Sequence, residues 1–322
     1  MWLKRKDVTR LFYASDIHGA ERLFRKFLNA GSFYRVQTLI LGGDITGKAI
    51  IPLVRTANQH YVCDFMGERY DLPTESEVRE MEGRINLNGF YPHRMNMEEV
   101  DSLKEEPAGV EDLFLRVVVE YTTRWMHIAE DKLKGTGITC YVMPGNDDAS
   151  EISRLLDECL ALINPEGRCI ALDDHHEMVS LGYSNPTPWH TVRELKEADL
   201  AERISLVMAQ VHNAPNLVVN FHVPPYDSGL DSAPRLTSDL SLKTSLGQPE
   251  LVPVGSTAVR EAIERWQPLL GLHGHIHEAC GVTKIGRTLC INPGSAYSEG
   301  VLFGALVGLD SKGVASYQLV RG

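Results

Sequence analysis

The sequence predicts an α/β fold, and three observations predict it. Short apolar runs, often β-branched and bounded by Gly or Pro, read as buried strands. Between them lie segments with helical spacing, and strand alternating with helix is the pattern of this architecture. Hydrophobic residues make up 43% and charged residues 23% of the 322, ordinary globular usage that excludes disordered and collagen-like classes.

The first run, Leu11–Ala14, opens into Ser15, Asp16, Ile17 and His18, and Glu21–Ala30 then carries helical spacing. Thr38–Leu41 opens into Gly42-Gly43-Asp44, and Ile138–Met143 into Pro144-Gly145-Asn146-Asp147. Helices are expected at Glu151–Leu162 and Val192–Gln210. Leu217–Phe221 meets His222, Ser256–Gln267 reads as a further helix, and Leu269–Leu272 meets His273-Gly274-His275-Ile276-His277. In open α/β sheets ligands gather at the carboxyl ends of strands, where all five polar clusters fall.

Two stretches interrupt the rhythm. About 90 residues separate Gly47 from Ile138, where one crossover needs far fewer. Leu113, Val117, Tyr121 and Trp125 recur every fourth residue, so a long helix is expected over Glu111–Leu133. Residues 68–106, acidic and punctuated by Pro and Gly, read either as an inserted lid or exposed helical excursion, or as a partly mobile loop. The Ser-, Pro- and Gly-rich stretch Pro224–Gly255 reads as a rim loop beside His222.

Charge and cysteine usage narrow the function classes. Asp and Glu outnumber Lys and Arg by 43 to 32, a formal charge of −11, which argues against a nucleic-acid partner. No run reaches the 18 or so apolar residues of a membrane span. The apolar run after Lys4, Arg5 and Lys6 is too short for a signal-peptide core, and the six cysteines form no CxxC pair, so a reduced, cytoplasmic setting is expected.

The set of polar residues at the strand ends carries the chemistry. Asp16, His18, Asp44, Asn146, His222, His275 and His277 offer mixed nitrogen and oxygen donors, suited to Zn, Mn, Fe or Co rather than to a thiolate cluster. Residues two apart on an extended segment point the same way, so Asp16 with His18, and His275 with His277, can each address one centre. Gly42, Gly43, Gly145 and Gly274 allow close passage of the chain. Asp44 could bridge two cations, and two ions roughly 3.5–4 Å apart would activate water and stabilise charge on a phosphoryl group. The alternative GxxxxGK reading of Gly42–Lys48 fails because Ala49 stands where a P-loop needs Ser or Thr.

In order, Asp16-x-His18, Gly43-Asp44, Gly145-Asn146-Asp147, His222 and Gly274-His275-x-His277 resemble the motifs of the calcineurin-like metallophosphoesterases. The likeness covers residues 10 to about 320 outside 50–135. It looks closest to small prokaryotic phosphoesterases related to the cyclic-nucleotide phosphodiesterase branch, with Asn185-Pro186-Thr187-Pro188 and Asn292-Pro293-Gly294-Ser295 in support. The resemblance implies a single domain over 1–322, a four-layer α/β/β/α sandwich with a largely helical insertion at about 50–135. It also implies a metal-dependent phosphoesterase, cleaving a diester or nucleotide-type phosphoester. Asp16, His18 and His277 would hold one divalent ion, Asn146, His222 and His275 a second, with Asp44 bridging and a hydroxide between the ions attacking phosphorus. Such a protein acts on a small phosphoester and can form homo-oligomers. Asp147 departs from the pattern, since many members carry a His there that helps the leaving group. An Asp beside cations is ionised and a poor acid, so the leaving group needs no proton, or His18 or another group donates it. A scaffold without turnover is the alternative.

The remaining candidates read more plainly. Lys48 either meets substrate phosphate or forms a salt bridge, and His273 supports the site or packs. Asp173, Asp174, His175 and His176 read as a polar surface turn. Trp189 reads first as a packing residue and second as a stacking surface, Tyr226 and Arg235 as rim-loop residues, and Cys140 as buried and inert.

Overall fold

The computed structural model describes residues 8–237, 239–245 and 247–322, so Lys4, Arg5 and Lys6 lie outside the described residues. In chain order the elements begin with β1 (Thr9–Ala14), α1 (Glu21–Tyr34) and β2 (Thr38–Leu41). A first excursion follows: β3 (Ile50–Arg55), β4 (Tyr61–Phe65), β5 (Glu68–Leu72), α2 (Glu75–Leu87), β6 (Tyr91–Asn96), α3 (Met97–Glu105) and α4 (Pro107–Leu133). Next come β7 (Thr139–Val142), α5 (Ser150–Glu158), β8 (Cys169–Ala171), β9 (Glu177–Leu181), α6 (Glu197–Met208) and β10 (Leu217–Phe221). A second excursion holds the short strands β11 (Ser232–Pro234), β12 (Thr244–Ser245), β13 (Gln248–Pro249) and β14 (Leu251–Pro253). The chain closes with α7 (Thr257–Trp266), β15 (Leu270–Leu272), β16 (Gly281–Ile285), β17 (Thr288–Asn292), β18 (Phe303–Asp310) and β19 (Gly313–Arg321).

Two sheets form the frame, in the orders β19-β18-β1-β2-β7 and β16-β17-β15-β10-β9-β8. β1, β2 and β7 run parallel in the first, and β9, β10, β15 and β17 in the second. Side chains alternate across each strand, which sorts them between separate cores. Leu11, Tyr13 and Ile40 of the first sheet meet Met178, Val218 and Leu270 of the second. Their neighbours Phe12, Leu39 and Leu41 face the opposite way, onto Phe24 and Phe27 of α1, Trp125 of α4 and Ile152 of α5. Val219 and Phe221 likewise turn to Leu200 and Ile204 of α6 and Val259 and Ile263 of α7. Each such side chain, fully buried, contributes about 1.5–3 kcal/mol.

The helices start where the sequence supplies caps. Thr74 with Glu77 and Asn96 with Glu99 form capping boxes at α2 and α3, and Ser256 caps α7 through the Val259 N–H. Two helices are shorter than their spacing suggests. α5 stops at Glu158 because the chain beyond it pairs with β7, Ile163 N–H donating to Cys140 and its carbonyl accepting from Val142. α6 starts only at Glu197 because residues 193–195 bond to Asn146 and Ser184.

The first excursion is helical over most of its length but carries strands that the spacing does not announce. Beside its three helices stands a four-stranded sheet, β5-β4-β3-β6, with a core of Leu53, Cys63, Phe65 and Leu72 against Val78, Met81 and Ile85 of α2. α4 packs along α1 and α5, over the outer face of the first sheet. Fully buried Tyr91 joins the two parts: its ring centroid lies 4.7 Å from that of Tyr121, and its hydroxyl accepts from the Gly47 N–H at 2.7 Å.

Candidate metal centre

All five polar clusters sit at strand carboxyl ends, after β1, β2 and β7 of one sheet and β10 and β15 of the other. Backbone bonds zip the first two loops together, Asp16 N–H to the Gly43 carbonyl at 3.0 Å and His18 N–H to that of Asp44 at 3.0 Å. The Gly274 N–H donates to the His222 carbonyl at 2.8 Å, aligning the two loops of the second sheet. Asp16 couples the sheets, accepting from the His275 N–H at 3.0 Å.

Four of these residues, Asp16, His18, Asp44 and His275, adopt left-handed backbone, with φ of 56°, 40°, 49° and 66°. Non-glycine residues rarely do so, and such strain concentrates where structure serves function. The glycines make the approach close. A Cβ at Gly145 would stand 2.1 Å from Asp44 Oδ1, and one at Gly274 would stand 2.4 Å from Asp16 Oδ2.

Donor atoms converge in two groups, one from Asp16, His18 and His277 and one from Asp44, His222 and His275, each set within 4.8 Å of one another. His18 and Asp44 meet again in a third set with Asp147. His222 Nδ1 bonds to the Gly42 carbonyl at 2.9 Å, leaving Nε2 aimed inward, 3.4 Å from Asp44 Oδ1. The Asn146 amide nitrogen donates to Thr191 Oγ1 at 2.8 Å, which turns its oxygen the other way. His222 Nε2, Asn146 Oδ1 and His18 Nδ1 are all buried without a hydrogen-bond partner. Buried polar atoms seldom go unpaired, and the first two fit atoms that hold a cation, whereas His18 Nδ1 faces Asp147 at 3.8 Å. His18 Nε2 and His277 Nε2 face each other at 3.0 Å, a separation suited to two imidazoles sharing one ion at about 2.0–2.1 Å each.

The electrostatics are those of a negative site. Burial would lift the carboxyls of Asp16 and Asp44, but the His222 charge holds both below their ordinary range. Burial would lower His222, but Asp44 and Asp16 push it up to about 10. Burial, then the nearby His222, lowers His275 to about 4, and burial with Lys48 keeps His18 well below the usual imidazole value.

Asp147 stays mostly ionised at neutral pH in the metal-free protein, though it is held above the ordinary carboxylate range. Burial and the Asp44 charge push it up to about 6, against the pull of Lys48. Lys48 Nζ lies 3.4 Å from its carboxylate, so that Lys is salt-bridged while lining the cavity. Asp148, which sequence reasoning missed, is fully buried and accepts from the N–H groups of Ile45 (3.0 Å), Thr46 (2.8 Å) and Gly145 (2.7 Å). It ties the Asp44 loop to the Asn146 loop. Nothing in an Asp-Asp pair shows which member turns inward. Tyr297 is a second omission, its ring 4.6 Å from His18 and 5.6 Å from His277.

The site opens into a cavity of about 930 Å³ lined at one end by Asp44, Asn146, Asp147, His275 and His277. The other walls come from the Asn185–Trp189 loop and the second excursion, Tyr226 and Arg235 included; no residue of the first excursion lines it. Trp189 is 64% exposed, which overturns the packing reading. His273 is buried with Nδ1 on the Phe221 carbonyl at 2.8 Å, and Cys140 is buried. Residues 173–176 form a turn between β8 and β9, though His176 is buried against Asp173 rather than on the surface.

No family model matches the chain. An uncharacterized protein of Methanocaldococcus jannaschii, MJ1162, is 29% identical over 153 residues, 47% of this chain, and the chain spans 62% of that relative's length. One solved structure superposes with a TM-score of 0.58 at 15% identity, over 98% of this chain and 99% of its own. TT1561 of Thermus thermophilus gives 0.51 at 14% identity, over 98% of each chain. An archaeal phosphodiesterase aligns at 13% identity, over 97% of this chain and 99% of its own, but its TM-score of 0.35 carries no argument. The chain thus shares its α/β fold with the first two of these solved structures, and its His and Asp residues gather in groups able to hold metal ions.

Proposed function

We propose that the protein is a dinuclear-metal phosphoesterase of the calcineurin-like type, a four-layer α/β/β/α sandwich acting on a small phosphoester, with a diester preferred. The observation that carries the reading is the pair of donor sets, one of them containing Asp44, with two buried ligand atoms, His222 Nε2 and Asn146 Oδ1, that nothing in the protein satisfies. Asp16, His18 and His277 hold one ion and Asn146, His222 and His275 the other, with Asp44 shared. Two divalent ions in these positions supply an activated water and neutralise charge developing on the phosphoryl group.

The chain's own residues do the rest. Asp16 and Asp44 give the centre its negative charge, and the Gly42 carbonyl fixes the His222 tautomer so that Nε2 is a donor. Asp147 and Lys48 stand as an ion pair at the phosphoryl end of the cavity. Lys48 can attract the anionic substrate, whereas Asp147 repels the second negative charge of a monoester, which favours diesters. The cysteines are all free, in keeping with the reducing cytoplasm in which we place the protein. Six titratable thiols on protein taken from cells would check that placement.

The test is hydrolysis of methyl p-nitrophenyl phosphate and of p-nitrophenyl phosphate by metal-stripped protein refilled with Mn²⁺, beside Asp44→Asn. Metal-dependent turnover that falls more than about 100-fold in the variant is expected, since even outer partners of metal ligands cost 10- to 100-fold. Two bound ions without turnover of any ester would favour a scaffold, a reading that rests on Asp147 standing where relatives carry His.

A further inference from the structure

We propose that the substrate carries, beside its phosphoryl group, a bulky uncharged apolar group, and that the second excursion together with the Asn185–Trp189 loop is a preformed wall for it. This rests on the phosphoesterase reading for the phosphoryl end alone. About 930 Å³ is far more than a phosphoryl group occupies and lies near the upper end of small-ligand pockets. Beyond the polar floor the lining includes Pro188, Trp189, Tyr226, Leu236, Leu242 and Val252. Trp189 is 64% exposed and Leu242 57%, and apolar side chains grouped at a cavity mouth mark a binding surface rather than a core.

The wall is braced, so these side chains stand on ordered backbone. Asp231 is fully buried and accepts from the N–H groups of Asp227 (2.8 Å), Ser228 (3.1 Å) and Gly255 (3.0 Å), closing both ends of the excursion. β11 pairs with β14, and the Asn185 amide donates to the Val254 carbonyl at 3.2 Å, joining the two segments. Binding to such a surface spends little on ordering it.

Charge excludes the polyanionic alternative. Among the described residues lining the cavity, Lys48 and Arg235 are the only Lys or Arg, and each is already paired, with Asp147 at 3.4 Å and Glu250 at 2.8 Å. Glu197 and Glu278 add negative charge to the same lining. A second phosphate would find no unpaired lysine or arginine on the wall, whereas an aromatic or aliphatic group would find Trp189, Tyr226, Leu236, Leu242 and Val252 in the same lining.

Calorimetric titration of Mn²⁺-loaded protein with dimethyl, methyl phenyl and diphenyl phosphate tests this. Affinity should rise about tenfold with each phenyl group, in line with small apolar groups in an apolar pocket. In Trp189→Ala with Leu242→Ala the three affinities should converge, and Trp189→Phe should restore the gradient; both residues are largely exposed, so the fold should persist, as a melting curve would show. Equal affinities in the wild type, or a gradient that survives the double substitution, would overturn the proposal. The two readings fail separately. Graded binding without hydrolysis of methyl p-nitrophenyl phosphate sinks the phosphoesterase alone, and hydrolysis with flat affinities sinks the wall alone.

Discussion

The two excursions from the α/β frame differ in what each does for the cavity. The first, residues 50–133, owns a sheet and an apolar core, sends α4 across the first sheet, and supports the site's loops, where Tyr91 holds Gly47 and Gly89 lies against the His18 carbonyl and the Tyr297 ring. The second, residues 224–255, has little core of its own and faces the cavity with exposed Leu240 and Leu242. Length and acidity suggest a lid or a mobile loop for the first and a rim loop for the second, and the described residues that line the cavity come from the second. A segment that buries its own apolar residues serves as structure, and one that leaves them exposed beside a polar site serves as surface.

Substitutions in the two should therefore separate stability from recognition. The largest effect is expected at Tyr91→Ala, which removes a fully buried ring and should cost about 3–5 kcal/mol in denaturant unfolding. An effect under 1 kcal/mol would erase the contrast between the excursions. Next comes the polar floor that the first excursion supports. His222 must lose its proton to bind a cation, and its value near 10 means that metal affinity should rise with pH, about tenfold per unit from pH 7 towards 10. Chelator competition across that range checks the slope, and His222→Gln should flatten it. For the metal-free protein the sign is opposite: a raised histidine stabilises the fold fully below its unfolded value near 6.5 and loses that contribution as pH rises through 10, so melting temperature should fall over this window. Asp148→Asn should cost about 1–3 kcal/mol, because N–H donors of both loops lose a carboxylate partner. Leu242→Ala, on the wall, should stay within about 0.5 kcal/mol of wild-type stability while weakening diphenyl phosphate.

The fold class and the floor of the site were legible because both depend on local pattern. An apolar run broken by Gly and a polar residue marks a strand end whatever surrounds it, and Asp16, Asp44, Asn146, His222 and His275 each stand at one. The β18–β19 hairpin and β9 escaped notice, since no chemistry follows them. The sheet of the first excursion was hidden by charged strands such as Glu68–Leu72, whose outward residues are polar and whose inward ones are few. Asp148, Tyr297 and the bracing by Asp231 depend on contacts between distant loops, which spacing along the chain does not record. Trp189 reads as core because large aromatics usually are; it stands instead 64% exposed on a loop that lines the cavity.

The left-handed backbone at Asp16, His18, Asp44 and His275 works against the side chains that stand there. At about 1–2 kcal/mol each for a residue bearing a Cβ, the backbone by itself favours glycine at all four, against the bonds that the Asp16 and Asp44 carboxylates make. Carboxylates and imidazoles stand at all four against that preference, which marks them as positions where the side chain, and not the backbone, decides the residue.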